Sequence, residues 1–147
     1  MKARLNAFHA APKTMQALLD LSDHVEKSGL EHSLLELVKT RASQINGCAF
    51  CLHMHTRDAR AQGESEMRLY LLSAWRESPL YSERERAALA WTEAVTGINN
   101  APVADADFQA LQAHFTPEEQ VKLTLAITTI NAWNRINVAF QTPHPKS

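Results

Sequence analysis

Apolar residues recur at intervals of three and four along most of the chain, the spacing that places them on one face of an α-helix. The segments with this spacing are 14–27, 30–45, 49–62, 64–75, 82–97, 104–114 and 116–140. Strict alternation of apolar and polar residues, the pattern of a half-buried strand, is not convincing anywhere. The pattern predicts an all-α fold in which helices are joined by short turns.

Two of the predicted helices begin with strong signals. Ser82 and Glu85 have the spacing of a capping box, in which each side chain accepts a hydrogen bond from the other residue's backbone N–H. Thr116, Pro117 and Glu119 supply an N-cap, a proline in the first turn and a glutamate at the third position. The longest predicted helix therefore starts here.

That last helix is apolar around most of its circumference. Its apolar residues are Val121, Leu125, Ile127, Ile130, Trp133, Ile136, Val138 and Phe140. A helix of this kind is buried on most sides, and in a small domain a subunit interface can supply the cover. Asn131, Asn134 and Arg135 interrupt the apolar surface, either as a residual solvent face or as a polar network between subunits. We expect a homo-oligomer.

Composition and charge fit one ordinary enzyme domain. A chain of 147 residues can bury a real core, and its net charge of -1 gives no electrostatic case for nucleic acid or a membrane surface. Lys13 and Pro12 interrupt the apolar residues at the N-terminus, so we expect no secretory signal, and no apolar run is long enough to span a bilayer. The expected location is the cytoplasm, where a disulfide is transient and catalytic.

The most informative pattern is Cys48-x-x-Cys51-x-x-x-His55, which contains both cysteines of the chain. At about 100° per residue, these three residues share an arc of roughly 60° on a helical wheel, whereas His53 falls on the far side. Two thiols and an imidazole on one stripe of a helix suit thiolate chemistry. Cysteines this close can form a disulfide or share a metal ion.

The flanking residues place Cys48 near a helix N-terminus. Asn46-Gly47 is a turn signal, and Gly63 closes the following helix as a C-cap. Unpaired backbone N–H groups at a helix start favour a thiolate over a thiol. The preceding helix carries Glu36 among apolar positions, and a tight turn would bring its carboxylate towards His55.

These residues carry a resemblance to a known family. Glu36, Cys48-Ala49-Phe50-Cys51 and His55 resemble the core motif of the alkyl hydroperoxidase D (AhpD-like) family, within the carboxymuconolactone decarboxylase superfamily. The segments 60–64 and 130–135 also look like short members of that family. The resemblance implies a single all-α domain over 1–147, with the family core near 30–97 and a C-terminal helical extension near 103–140.

The resemblance also implies an activity. It suggests a thiol-dependent hydroperoxide reductase that cycles through a Cys48–Cys51 disulfide, with Cys51 as the attacking thiol and Cys48 as the resolving thiol. His55 would take the thiol proton, and Glu36 would support His55. Such members bind no cofactor, use an external dithiol of the lipoyl or thioredoxin type, and form trimers or hexamers.

There is one departure from the family pattern. The best-studied peroxidase members carry a histidine immediately before the second cysteine, and this chain carries Phe50 there. Phenylalanine cannot transfer a proton, so the expected relay is shorter. Phe50, Trp91 and Trp133 are candidates for either pocket walls or core packing.

Other interpretations of the cysteine pair stay open at this point. The cysteines could be small core residues, or they could join His55 and Glu36 as zinc ligands. A lyase of the carboxymuconolactone type would keep its activity without the cysteines. A non-enzymatic redox protein would change its assembly on oxidation. A thioredoxin-like site needs a βαβ pattern, which the sequence does not show.

Overall fold

The computed structural model describes residues 2–146, and these residues contain helices but no strand. The prediction of an all-α fold is confirmed. The α-helices are α1 (Ala7–Ala10), α2 (Pro12–Glu26), α3 (His32–Ile45), α4 (Ala49–Ala61), α5 (Glu66–Tyr70), α6 (Glu83–Thr96), α7 (Asp105–His114) and α8 (Pro117–Phe140). A 3₁₀ helix over Leu72–Glu77 follows α5. Within residues 2–146, no helix is long and apolar enough to cross a membrane.

Helix α3 lies at the centre of the molecule and packs against α4, α6 and α8. Its apolar residues point in three directions. Leu35 and Val38 join the main core with α6, α7 and α8, while Leu37 contacts a second cluster built around Trp75. Ala42 faces the two cysteines. Each fully buried leucine contributes about 1.5–3 kcal/mol, so these contacts hold α3 firmly.

Both predicted capping boxes are present. The Ser82 hydroxyl accepts a hydrogen bond from the Glu85 backbone N–H at 3.2 Å, and the Glu85 carboxylate accepts one from the Ser82 N–H at 2.8 Å. Thr116 and Glu119 repeat the arrangement at 3.3 Å and 2.8 Å. A helix cap of this type stabilises a protein by about 1 kcal/mol, which explains the sharp starts of α6 and α8.

The prediction of one continuous helix over 64–75 is wrong. Helix α5 ends at Tyr70, and the chain continues as a 3₁₀ helix with a non-helical Ala74 at a φ of -115°. Side chains three residues apart eclipse one another in a 3₁₀ helix. Leu72 and Trp75 therefore both enter the cluster that contains Leu37.

Of the three polar residues that interrupt the apolar surface of α8, Asn131 and Asn134 are buried and Arg135 is exposed. Asn134 is fully buried, and its side-chain amide donates to the Ser43 hydroxyl at 3.0 Å. The Asn46 side-chain amide donates to the carbonyl oxygens of both Asn131 and Asn134, each at 2.9 Å. Arg135 donates to Asn131 at 2.7 Å. The network therefore fixes the turn between α3 and α4 against α8.

Glu93 on α6 joins three elements through its carboxylate. It accepts hydrogen bonds from the Trp75 indole and the Arg41 guanidinium at 2.8 Å each, and from Arg76. Burial raises the pKa of Glu93, but the hydrogen bonds from Trp75, Arg76 and Arg41 outweigh burial and lower it overall. The stabilisation that ionised Glu93 provides is therefore fully present at pH values above the usual pKa of a carboxyl group. It is lost as the pH falls through the lowered pKa of Glu93.

We expect Glu93→Gln to lower the free energy of unfolding at pH 7 by about 2 kcal/mol, because charge-assisted hydrogen bonds are lost. Urea unfolding between pH 3 and pH 7 measures this effect, and the variant should lose less stability on acidification than the wild type. Glu83→Gln is the matched control, since Glu83 is exposed and has no ion-pair partner among residues 2–146. Equal stability of the Glu93 variant and the wild type would contradict the expectation.

Candidate redox site

The turn between α3 and α4 places the first cysteine. Gly47 has a φ of 64°, a left-handed conformation that favours glycine, and the Cys48 backbone N–H donates to the Ser43 carbonyl at 3.0 Å. Cys48 is the N-cap of α4, and its sulfur accepts a hydrogen bond from the Cys51 N–H at 3.3 Å. The predicted position of Cys48 at a helix start is what the structure shows.

Cys48 and Cys51 are joined in a disulfide, with their Cα atoms 5.4 Å apart. Both are buried in a cluster with Ala42 and Ile130. The side-chain amide of Asn137 on α8 lies 3.6 Å from the Cys51 sulfur, as a donor. An N–H directed at the sulfur would stabilise a thiolate after reduction. The sequence offered no signal for Asn137, because α8 reads as apolar around this position.

Glu36 and His55 form the buried acid–base pair of the site. The Glu36 Oε2 atom lies 2.9 Å from the His55 Nδ1 atom, and the residues are 5% and 7% exposed. A carboxylate at Nδ1 fixes the proton there and leaves Nε2 as the basic nitrogen. The helical wheel placed His53 on another face, and in the structure its ring stacks on His144 at 5.6 Å.

Lys39 is a member of this group that the sequence analysis missed. Its Nζ atom lies 3.2 Å from the Glu36 Oε1 atom and also contacts the Glu26 carboxylate. Burial lowers the pKa of the Lys39 ammonium group to about 8, against an opposing effect of the Asp58 carboxylate. The available signal was its position three residues after Glu36, on the same helix face.

A cavity of about 820 Å³ opens beside the disulfide. Of the two cysteines, Cys51 lines this cavity and Cys48 does not, while His55, Glu36 and Lys39 line its polar side. The remaining wall is mainly apolar and includes Met15, Leu19, Phe50, Met54, Trp133 and Ile136. A molecule in the cavity would therefore lie against Cys51 rather than Cys48.

The comparison with protein families agrees with this arrangement. The model of the carboxymuconolactone decarboxylase family matches residues 12–94. The chain belongs to this family. The predicted membership is thus confirmed, and so is the AhpD-like helical fold.

Similar proteins match this chain over nearly its whole length. The uncharacterized protein YdfG of Bacillus subtilis is 42% identical over 139 residues, which cover 95% of each chain. A crystal structure of a protein of unknown function from Agrobacterium tumefaciens, whose name suggests the antioxidant defence protein AhpD, is 49% identical. It superposes with a TM-score of 0.97 over 99% of this chain and 100% of its own. The debrominase Bmp8 shares the fold at 20% identity, with a TM-score of 0.82 over 95% of this chain and 75% of its own.

Part of the cavity wall comes from the segment before α2. The Arg4 backbone N–H donates to the Phe140 carbonyl at 2.8 Å, and the Arg4 side chain donates to the Ala139 carbonyl at 3.0 Å. The Phe8 ring stacks on Trp133 at 6.1 Å. Segments near both ends of the described chain therefore line the cavity.

The four side chains considered as zinc ligands pair with one another instead. Cys48 bonds to Cys51, and Glu36 holds His55 and Lys39. Among residues 2–146, no group of three or more His, Cys, Asp or Glu side chains is placed to hold a metal ion. Of the aromatic candidates, Phe50 and Trp133 line the cavity, whereas Trp91 packs against the core and donates to Thr124.

Proposed function

We propose that the chain is a thiol-dependent hydroperoxide reductase. The observation that carries this proposal is the position of Cys51: it is bonded to a second cysteine and lines a mainly apolar cavity. The Glu36–His55 pair lines the same cavity. A dithiol that forms a disulfide supplies the two electrons that reduction of an O–O bond requires.

The reaction begins with the reduced pair. His55 takes the proton of the Cys51 thiol, and the thiolate attacks one oxygen of the hydroperoxide. A sulfur–oxygen bond forms as the O–O bond breaks, and the leaving oxygen takes a proton to become an alcohol. Cys51 is then a sulfenic acid. The Cys48 thiolate attacks its sulfur, and water leaves as the disulfide forms.

Three features favour a thiolate at Cys51. His55 supplies a base one helical turn away, and Glu36 fixes the tautomer of that base. Cys51 lies in the first turn of α4, where backbone N–H groups favour negative charge. The amide of Asn137 adds a donor directed at the sulfur.

The apolar wall of the cavity indicates the type of substrate. An organic hydroperoxide can bury its hydrocarbon part against Met15, Phe50 and Trp133, whereas hydrogen peroxide has no apolar surface to bury. We therefore propose organic hydroperoxides as the preferred substrates.

Regeneration of the two thiols requires an external dithiol of the lipoyl or thioredoxin type, in a reducing compartment such as the cytoplasm. We also propose a homo-oligomer, a trimer or a hexamer.

Thiol titration of the reduced chain tests the proposal. We expect one equivalent of cumene hydroperoxide to remove both free thiols and to form the Cys48–Cys51 disulfide, and hydrogen peroxide to react more slowly. The matched control is the Cys48→Ser/Cys51→Ser double variant, which should leave the hydroperoxide unconsumed. Survival of both wild-type thiols would rule out the proposed function. Consumption of the hydroperoxide by the double variant at the wild-type rate would show that the cysteines are not the reducing groups.

A further inference from the structure

We propose that Lys39 is a positioning residue, whose ammonium group holds the Glu36 carboxylate against the Nδ1 atom of His55 so that His55 is oriented to accept the Cys51 proton. This inference rests on the proposed function insofar as Cys51 is the reacting thiol. Its evidence is the buried group formed by Lys39, Glu36 and His55. The acid–base mechanism above uses Glu36 and His55 but leaves Lys39 without a role.

The geometry divides the Glu36 carboxylate between two partners. Its Oε2 atom lies 2.9 Å from the His55 Nδ1 atom, and its Oε1 atom lies 3.2 Å from the Lys39 Nζ atom. Lys39 and His55 come from different helices, α3 and α4. Because each oxygen is engaged, the carboxylate cannot rotate without losing a contact, and the imidazole ring is held through its Nδ1 atom.

Lys39 also brings charge to the group. Its ammonium group lies between the Glu36 and Glu26 carboxylates, so it offsets part of the negative charge that Glu36 carries into the buried site. Without Lys39, the Glu36 carboxylate would lose the cation at its Oε1 atom and would no longer be held in one orientation against His55.

Glu26 on α2 completes the arrangement from the other side of Lys39. Its carboxylate is 37% exposed, so it offsets the charge of Lys39 at a small desolvation cost. The titratable groups around Lys39 on the elements that pack there are Glu26 on α2, His32 and Glu36 on α3, and His55 and Asp58 on α4. Lys39 is charged at neutral pH, because its pKa of about 8 lies above it.

The test uses reduced chains that carry Cys48→Ser, so that Cys51 is the single thiol. We expect Lys39→Met to slow iodoacetamide alkylation of Cys51 at pH 7 about tenfold and to move its pH profile to higher pH, which corresponds to one pH unit. Lys39→Arg keeps the charge and should restore most of the rate. Lys27→Met is the matched control, since Lys27 is an exposed lysine paired with Asp23.

Two further readouts separate positioning from a purely structural role. The ring nitrogen NMR signals of His55 should indicate a mixture of the two tautomers in Lys39→Met and the Nδ1–H tautomer alone in the parent. In a Glu36→Gln background, Lys39→Met should add little, because the two residues act as a unit. If Lys39→Met does not fold, Lys39→Gln replaces it, since a neutral amide can still bond to both carboxylates.

This test can fail or succeed independently of the test of the proposed function. Alkylation needs no hydroperoxide, so the effect of Lys39 is measured even if the chain fails to reduce one. An unchanged alkylation profile with unchanged His55 signals in a folded Lys39→Met or Lys39→Gln variant would overturn the inference. If Lys39→Met slows alkylation by the same factor in the parent and in the Glu36→Gln background, the inference is also overturned, because Lys39 would then act independently of Glu36.

Discussion

Cys51→Ser is expected to abolish hydroperoxide reduction, leaving only the uncatalysed reaction with the external dithiol. Serine is nearly the same size as cysteine, but its hydroxyl is a far weaker nucleophile than a thiolate and forms no disulfide. Cys51 is also the cysteine that lines the cavity. The remaining thiol of Cys48 lies behind it, at the N-cap of α4, and so cannot take over its role.

Consumption of cumene hydroperoxide with excess dithiothreitol measures this loss directly. Cys48→Ser provides the comparison, because it should still react once and leave a sulfenic acid on Cys51 that a dimedone probe can trap. Comparable rates for Cys51→Ser and the wild type would contradict the assignment. Trapping of a sulfenic acid on Cys48 in Cys51→Ser, at the wild-type rate, would reverse the two roles.

His55→Gln is expected to lower the second-order rate constant for hydroperoxide by about 10²–10⁴-fold, the usual contribution of a general base. Glutamine can keep a hydrogen bond to Glu36 but cannot accept the thiol proton. The loss should be largest near neutral pH and should shrink at high pH, where the thiol of Cys51 ionises without help. Stopped-flow measurements with the reduced chain between pH 6 and pH 10 would follow this convergence.

His53→Gln is the matched control for that measurement. It removes a histidine from the same helix, two residues away, whose ring stacks on His144 rather than lining the cavity. We expect a rate within twofold or so of the wild type, since surface substitutions away from a site have small effects. A loss of similar size in both histidine variants would show that the helix, rather than the base, had been disturbed.

Most of the helices could be predicted because their signals are local. Apolar spacing located α3, and capping residues located the first turns of α6 and α8. Helix α1 was missed, since its four residues are too few to show a period and none of them is buried. The break after Tyr70 was also missed, because it depends on the distant core cluster that Leu72 and Trp75 join.

Some residues of the site could likewise be predicted from local sequence, and others could not. The spacing of Cys48, Cys51 and His55 along one helix was visible in the sequence, whereas Glu36 was placed mainly by the family resemblance. Lys39 was not singled out from the sequence, because its two carboxylate partners become visible only in the structure. Asn137 comes from α8, far along the chain, and no local pattern links it to a cysteine.

Asn131 and Asn134 show the limit of reasoning from one helix alone. A helical wheel can indicate that a polar residue interrupts an apolar surface, but it cannot name the partner that satisfies the residue. The partner here is Asn46, which lies 85 and 88 positions away in the sequence. A buried amide needs such a partner to offset its desolvation, and only the tertiary structure supplies it.

The contact between Arg4 and the end of α8 has a practical consequence for handling the protein. Residues on both sides of this contact, including Phe8 and Pro143, line the cavity. An affinity tag or fluorescent protein fused to either end of the described chain would therefore lie close to the cavity. If such a fusion narrows access to the cavity, it impedes bulky ligands more than small ones, so kinetic comparisons between substrates require tag-free protein.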